Sequence, residues 1–329
     1  MKCITSILPP EERKPSVATI GFFDGVHRGH RYLIEQVRQV ARERGLAPAV
    51  VTFPKHPRQV MQPEYAPRLL TTFEEKMQLL SRVGVEYCIL LAFTPELAQL
   101  TARQFMQMLA EDYGVRALVI GYDHRFGHHR SEGFEEYVRF GQELGMEVIQ
   151  AHQLPQEEAT VAVSSSRVRQ LLERGEVAEA AHLLGYRYFL QGEVEAGYQV
   201  GRTIGFPTAN LLPDNPLKLI PAEGVYAVRV ALLDAPASAV GQQAADLSWY
   251  GGMLCIGHRP TLQNGSERSI EVHLFDFSGN LYHRSLRIEL VQFTRQEHRF
   301  DSLEALRQRI ALDEQEIRSL LQSLISIEP

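Results

Sequence analysis

Cysteine is scarce: Cys3, Cys88 and Cys255 are the only three in 329 residues, they lie far apart, and none forms a CxxC pair. That argues against a disulfide framework and a structural zinc knuckle; buried thiols in a reducing cytosol are the plain reading. Long apolar runs are missing too. No stretch approaches the roughly 20 residues of a membrane span, and the opening "MKCITSILPPEERK" is too short and too weakly apolar for a signal peptide. A cytoplasmic location without membrane contact is therefore expected. Positive charge is not in excess. With 34 Lys and Arg against 40 Asp and Glu, the net charge of -6 argues against a sequence-independent grip on nucleic acid. A small phosphorylated ligand is still compatible, because a local site can be positive on an acidic protein. Neither a Walker A motif nor GxGxxG is present; "GYQVGRT" (197–203) is one residue short of the P-loop spacing and carries Arg202 in place of lysine. What remains is an ordinary globular composition, 44% apolar and 22% charged. The chain is long enough for about two domains that need no staples.

The first half alternates strand and helix signals. "SVATIGFF" reads as a buried strand. "RYLIEQVRQVARERG" sets Leu33, Ile34, Val37, Val40 and Ala41 at helical spacing and ends on Gly45. Further strand runs fall at 47–53, 86–93, 116–121 and 146–150. Thr72 and Glu75 form a capping-box pair, and Thr94-Pro95 suits the first positions of a helix. Strands alternating with helices, without hairpin turns, predict a parallel sheet with crossover helices. Ligands of such sheets sit outside the carboxyl ends of the strands. Two short helical stretches, "SSRVRQLLERG" and "EVAEAAHLLG", close this half. Near residue 186 the pattern changes to short alternating segments punctuated by glycine, as in an antiparallel barrel or sandwich. Domains of 1–186 and 187–329 follow. Residues 234–249 read as a long hairpin loop. The last stretch reads as a helix on the barrel, with a capping box at Asp301 and Glu304 and an apolar stripe of Leu303, Leu306 and Ile310. No repeats and no disordered linker are apparent.

Three strings carry chemistry. In "GFFDGVHRGHRYLIEQ" (21–36), Gly21, Gly25 and Gly29 alternate with Asp24 and with His27 and His30 at i, i+3. Glycines let a backbone approach a ligand closely, and the loop runs into a helix start, whose N–H groups and dipole favour an anion. The two imidazoles can donate to phosphoryl oxygens as charge develops. A metal site would need a third ligand; His124, His128 and His129 are available, but their spacing fits no zinc pattern. An ordinary tight turn fits as well. In "GRTIGFPTANL" (201–211), Gly201, Gly205 and Pro207 fix a turn, and Thr208 and Asn210 offer hard oxygen ligands suited to Mg2+. A strand after a Gly-Pro turn is the plain alternative. In "SIEVHLFDFSG", alternation puts Ile270, Val272 and Leu274 on one face and Glu271, His273, Phe275 and Phe277 on the other. A glutamate that shares its face with two phenylalanines is expected in a half-apolar pocket.

These strings resemble known families. "GFFDGVHRGH" matches the HxGH nucleotidyltransferases. "GYDHRFGHHRSEG" (121–133) and "VSSSRVRQLL" (163–172) resemble the G-x-D-x-x-F-G and I-S-S-T-x-I-R segments of bacterial FAD synthetases, with Val163 and Ser166 as departures and His124 where phenylalanine is usual. "GRTIGFPTAN" resembles the signature of riboflavin kinases, and "PAEGVYAV", "IGHRPT" and "IEVHLFDF" follow in that family's order. Over nearly its whole length the chain thus resembles the bacterial bifunctional riboflavin kinase/FAD synthetases.

The resemblance implies an α/β plus β architecture: an N-terminal Rossmann-like nucleotidyltransferase domain and a C-terminal antiparallel β-barrel kinase domain with a terminal helix. It implies small-molecule substrates riboflavin, FMN and ATP, the product FAD, and Mg2+; no nucleic acid, membrane or protein partner is implied. By the same resemblance, His27 and His30 are catalytic in adenylyl transfer. Gly21, Phe22, Phe23, Asp24, Gly29, Asp123, Arg130, Ser165, Ser166 and Arg169 bind its nucleotide. In the kinase half, Glu271 is the general base for the riboflavin 5′-hydroxyl. Gly201, Gly205, Pro207, Thr208 and Asn210 bind nucleotide, Thr208 and Asn210 hold the metal, and Arg295, Glu297 and Phe300 lie by the flavin. Cys255 stands where asparagine is commoner, and His283 where glycine is common.

Overall fold

The computed structural model describes every residue except Leu8, Pro63, Asp123, 129–131, 156–162, 197–199, 234–246, 259–267 and 326–329. The chain divides into two compact units, Met1–Ser165 and Ser166–Pro329.

In the first unit, β1 (Lys2–Ile4), β2 (Ser16–Ile20), β3 (Ala47–Thr52), β4 (Tyr87–Leu90), β5 (Val115–Ile120) and β6 (Glu147–Gln150) form one sheet in the order β1-β4-β3-β2-β5-β6. Every pairing is parallel, as the missing hairpin turns predict. The five expected strands are present. The edge strand β1 is additional; with Lys2 and Cys3 exposed it has no apolar period to reveal it. The connections are α1 (Arg28–Arg44), α2 (Pro57–Met61), α3 (Phe73–Ser81), α4 (Pro95–Gln99), α5 (Ala102–Tyr113) and α6 (Phe134–Leu144). β2 is buried at every residue. Val17 packs with Val37 and Ala41 of α1 in one layer, and Ala18 with Phe105, Met106 and Leu109 of α5 in the other. Helices therefore cover both faces. The Thr72–Glu75 capping box forms, and Gly45 ends α1 at φ 64°. Thr94 caps α4, which stops after five residues; a second box, Thr101–Gln104, then starts α5.

Strand order reverses at β2, which has β3 on one side and β5 on the other. This is a topological switch point, where carboxyl-end loops diverge and leave a crevice. The glycine-histidine loop leaves β2 at this point.

In the second unit, α7 (Ser165–Glu173, its first residue still in unit one) and α8 (Val177–Leu184) precede β7 (Phe189–Glu195), α9 (Val200–Thr203) and β8 (Ala209–Pro213). Then come β9 (Gly224–Leu233), β10 (Trp249–His258), β11 (Arg268–Leu274), β12 (Ser285–Arg295) and α10 (Leu303–Ile325). The six strands close into a barrel, β10-β11-β8-β7-β12-β9, with antiparallel pairings. Closure removes the free edges that a sandwich would leave. Helices α7 and α8, read from sequence as the end of the first half, pack in this unit. Val168, Leu171, Leu172 and Leu184 are buried, and the Leu172 carbonyl accepts from Ala222 N–H at 2.9 Å.

The terminal helix departs from its sequence reading. Ser302, not Asp301, supplies the cap, its hydroxyl oxygen accepting from Ala305 N–H at 3.1 Å. Leu303 is 60% exposed, and the helix instead seats Ile317 and Leu321, with Ile310 beside them, against Val225, Met253 and Phe275. The sequence shows the apolar stripe, but which turns meet the barrel depends on where the barrel ends. Most of the expected loop at 234–249 lies outside the described residues.

Candidate active sites

Seven residues lead from β2 into α1. Phe23 (φ 55°) and Val26 (φ 37°) adopt left-handed backbone although neither is glycine, and both are buried. For a branched side chain this is strained, so the surroundings must hold it. They do so from several sides. The Asp24 carboxylate accepts from Leu70 N–H and Thr71 N–H at 3.0 Å, and from the Thr71 hydroxyl at 3.2 Å. Gly25 N–H donates to Thr71 Oγ1 at 3.1 Å, and Ser165 Oγ donates to the Asp24 carbonyl at 2.9 Å. Asp24 and Phe23 therefore point into the protein and shape the loop. Gly21 allows a close approach: a Cβ there would stand 3.0 Å from the Phe23 ring.

His27 caps α1, its Nδ1 accepting from His30 N–H at 3.3 Å, which puts the ring proton on Nε2. The His30 ring stacks on it with centroids 3.6 Å apart and meets the edge of Phe23 at 5.2 Å. His30 Nδ1 is buried and has no partner among the described residues. Burial first, then His27, His124 and Lys76, hold the His30 pKa well below the usual histidine value. His30 is thus a neutral imidazole beside a helix start, able to donate without carrying charge. Gly29 gives the pair room; its Cβ would lie 3.3 Å from the His27 ring. Ser166 is exposed on α7 and Arg169 follows on the same helix, in the second unit. Asp123 and Arg130 lie outside the described residues.

Beside the same sheet edge is a cavity of about 310 Å³ lined by Phe53, Phe93, Leu97, Phe105, Phe126 and His128 among others. Several of its walls are aromatic. Sequence reasoning missed it because its walls come from several separate segments. It also missed Lys76, which sits in α3 beneath the loop, 2% exposed. Within "TFEEKMQLL" that lysine reads as an ordinary surface cation. Among the described residues, no three His, Cys, Asp or Glu groups come together to hold a metal.

The second site is built by strand pairing. β11 and β8 set Glu271 opposite Asn210, and β10 sets Cys255 opposite Glu271. The "GFPT" turn precedes β8. Gly205 takes φ 89°, and a Cβ on Gly201 would stand 2.3 Å from the Phe206 carbonyl. The turn delivers Thr208, whose hydroxyl donates to Glu271 Oε2 at 3.2 Å. His273, buried two residues further along β11, donates from Nδ1–H to the Pro207 carbonyl at 2.8 Å and braces the turn. Ile270, Val272 and Leu274 are buried, but so are His273 and Phe275 of the other face, where Phe275 packs against α10; Glu271 on that face is half-buried. A cavity of about 690 Å³ opens beside Pro207 and Thr208, bounded by Val272, Phe277, Asn280 and Tyr282.

The other flank carries Arg295, Glu297 and Phe300, at and just beyond the end of β12. Glu297 lies over β10, where a Cβ on Gly257 would meet its carboxylate at 2.5 Å. Burial, then Glu297 and Glu271, push the Cys255 thiol up to about 12, so it stays protonated among these carboxylates. Arg295 grips Asp313 of α10 through Nε at 2.9 and 3.0 Å and Nη2 at 2.6 Å. Asp313, 2% exposed, also receives Arg309. Sequence reasoning missed Asp313; the only hint is the i, i+4 spacing of Arg309 and Asp313.

Residues 9–167 match the FAD synthetase family model, and residues 184–321 match the riboflavin kinase model. The chain is 37% identical to a bifunctional riboflavin kinase/FMN adenylyltransferase of Escherichia coli (strain K12), over 95% of this chain and 96% of that protein. The chain belongs to the bifunctional riboflavin kinase/FMN adenylyltransferase family. A member from Bacillus subtilis (strain 168) is 34% identical over 93% of this chain and 92% of its own length. A solved structure from Streptococcus pneumoniae, described as a macrolide-efflux protein, superposes with a TM-score of 0.83 at 30% identity, covering 96% of this chain and 98% of that one. No helix among the described residues is long and apolar enough to cross a membrane. The two matched models fall on the parallel-sheet unit and the barrel, with most of α7 and α8 between them.

Proposed function

We propose that the barrel phosphorylates riboflavin to FMN with ATP and that the parallel-sheet half then adenylylates FMN to FAD, releasing pyrophosphate. The observation that carries the first half is the hydrogen bond between Thr208 and Glu271, which joins the two kinase strings 63 residues apart. Glu271 takes the proton from the riboflavin 5′-hydroxyl as that oxygen attacks the γ-phosphorus of ATP, the bond to the β,γ-bridging oxygen breaks and ADP leaves. The Thr208 hydroxyl and Asn210 carboxamide, hard oxygen donors side by side with Glu271, fit Mg2+ and would hold it with the nucleotide phosphates. When bound, that ion neutralises charge on the transferring phosphoryl group. The rest of the protein's work is positioning. Gly201, Gly205 and Pro207 shape the phosphate turn, and Arg295, Glu297 and Phe300 border the flavin.

In the first half, the FMN phosphate attacks the α-phosphorus of a second ATP. The backbone of Gly21–Asp24 and Gly29 and the start of α1 receive phosphate oxygens. His27 and neutral His30 donate to them as charge builds. The aromatic cavity takes the isoalloxazine ring. Asp123, Arg130, Ser165, Ser166 and Arg169 complete the nucleotide site on the strength of the motif match. We assign 1–186 to adenylyl transfer and 187–329 to the kinase, in the cytoplasm.

Purified protein with riboflavin, ATP and Mg2+ yields FMN and then FAD. Glu271→Gln abolishes FMN formation and leaves conversion of supplied FMN, while His30→Ala does the reverse. Absence of any FMN from the unaltered protein would refute the kinase reading, and equal loss of both steps in either folded variant would refute separate sites.

A further inference from the structure

Lys76 has no part in the roles assigned above, yet its placement is unusual. It is 2% exposed, the fourth residue of α3. Its ammonium donates to the Phe53 carbonyl at 2.8 Å and the Phe22 carbonyl at 3.1 Å, with Thr52 Oγ1 at 3.5 Å. It also lies 4.1 Å above the Phe22 ring. Those carbonyls stand just beyond the ends of β2 and β3, on one side of the switch point. Burying an ammonium is costly and persists only where its donors are met. A neutral side chain could fill the same space, so the charge itself calls for an explanation.

The explanation lies in what Phe22 precedes. Phe23 and Val26 are strained, and the same stretch of chain, Leu70 to Lys76, bonds the loop residues beside them, Phe22, Asp24 and Gly25. Leu70 and Thr71 clasp Asp24 from one side, and Lys76 clasps the residue before Phe23 from below. The capping box at Thr72 fixes where α3 begins and hence where Lys76 reaches. Its charge also contributes to keeping His30 neutral.

We propose that Lys76 is a positioning residue for adenylyl transfer: its ammonium ties the Phe22 and Phe53 carbonyls together and so fixes the loop that presents His27 and His30. This rests on the reading of that loop as the adenylyl-transfer site. A shift of the histidines by about 1 Å is enough to lower turnover roughly a hundredfold.

The test is Lys76→Met in the full chain, with supplied FMN and ATP followed by flavin chromatography. Turnover of FMN to FAD falls about a hundredfold, with KM for ATP and FMN within about threefold of the unaltered protein, since binding surfaces are retained. Riboflavin phosphorylation by the same preparation is unchanged, and the retained KM for ATP and FMN certifies that the parallel-sheet unit, which carries Lys76, is folded. Lys76→Arg, which keeps charge and donors, recovers at least about tenfold of the loss. Should the methionine variant not fold, Lys76→Gln is measured in the same way. Turnover within about threefold of the unaltered protein, a loss confined to KM, or equal loss of both activities overturns the proposal. His30→Ala separates the two layers. If it keeps adenylyl transfer, the site reading fails and this proposal with it; if it loses transfer while Lys76→Met keeps it, only the role of Lys76 fails.

Discussion

Asp313→Ala tests how the terminal helix is tied to the kinase site. Asp313 is 2% exposed and accepts three hydrogen bonds from Arg295, whose side chain is 18% exposed. Removing the carboxylate leaves the Arg295 guanidinium half-enclosed with its main counter-charge gone. Breaking a buried pair in this way costs about 3–5 kcal/mol. The second partner, Arg309, is 32% exposed and keeps Glu316 at 3.2 Å, so solvent screening limits its share to under about 1 kcal/mol. A net loss near 3 kcal/mol lowers the melting point of a unit this size by roughly 6–12 °C. Function changes with it, because Arg295 is then no longer aimed. The KM for riboflavin rises, while conversion of supplied FMN to FAD stays near that of the unaltered protein. Differential scanning calorimetry with flavin chromatography reads both. A melting profile within about 1 °C together with an unchanged riboflavin KM would refute the argument, since Arg295 would then be held by something other than Asp313.

Two further outcomes concern the parallel-sheet half. Gly127 has φ 93°, and a Cβ there would stand 2.7 Å from Ala102 N, so Gly127→Ala must displace the aromatic cavity wall. It raises the KM for FMN in FAD formation and leaves riboflavin phosphorylation alone; an unaltered KM would show that the cavity does not receive flavin. His30 is held below its usual value of 6.5 in the fold, so as pH falls below 6.5 the unfolded chain takes up a proton that the native chain does not. Its contribution to stability is full above pH 6.5 and declines below it, by at most about 1.4 kcal/mol per pH unit. His30→Gln removes that slope from the acid limb of chemical unfolding curves; an identical limb would mean that His30 is protonated in the native state.

Much of this protein is local in origin and was legible in sequence. The Thr72–Glu75 box, the Gly45 stop and the parallel alternation depend on neighbours within a few residues, and backbone sterics and hydrogen bonding settle them at that range. Departures came where distance along the chain mattered. Ser302 rather than Asp301 caps α10, and Ile317 and Leu321 rather than Leu303 meet the barrel, because packing selects the turns that find a surface. The motifs pointed to His27, His30, Thr208, Asn210 and Glu271 one string at a time. Only the β8–β11 register put Thr208 and Asn210 beside Glu271. Only the fold buried Lys76 under the loop and Asp313 under Arg295. A charged side chain reads as surface in sequence because water is its usual partner, and it takes tertiary structure to replace that water with two carbonyls or two guanidinium groups.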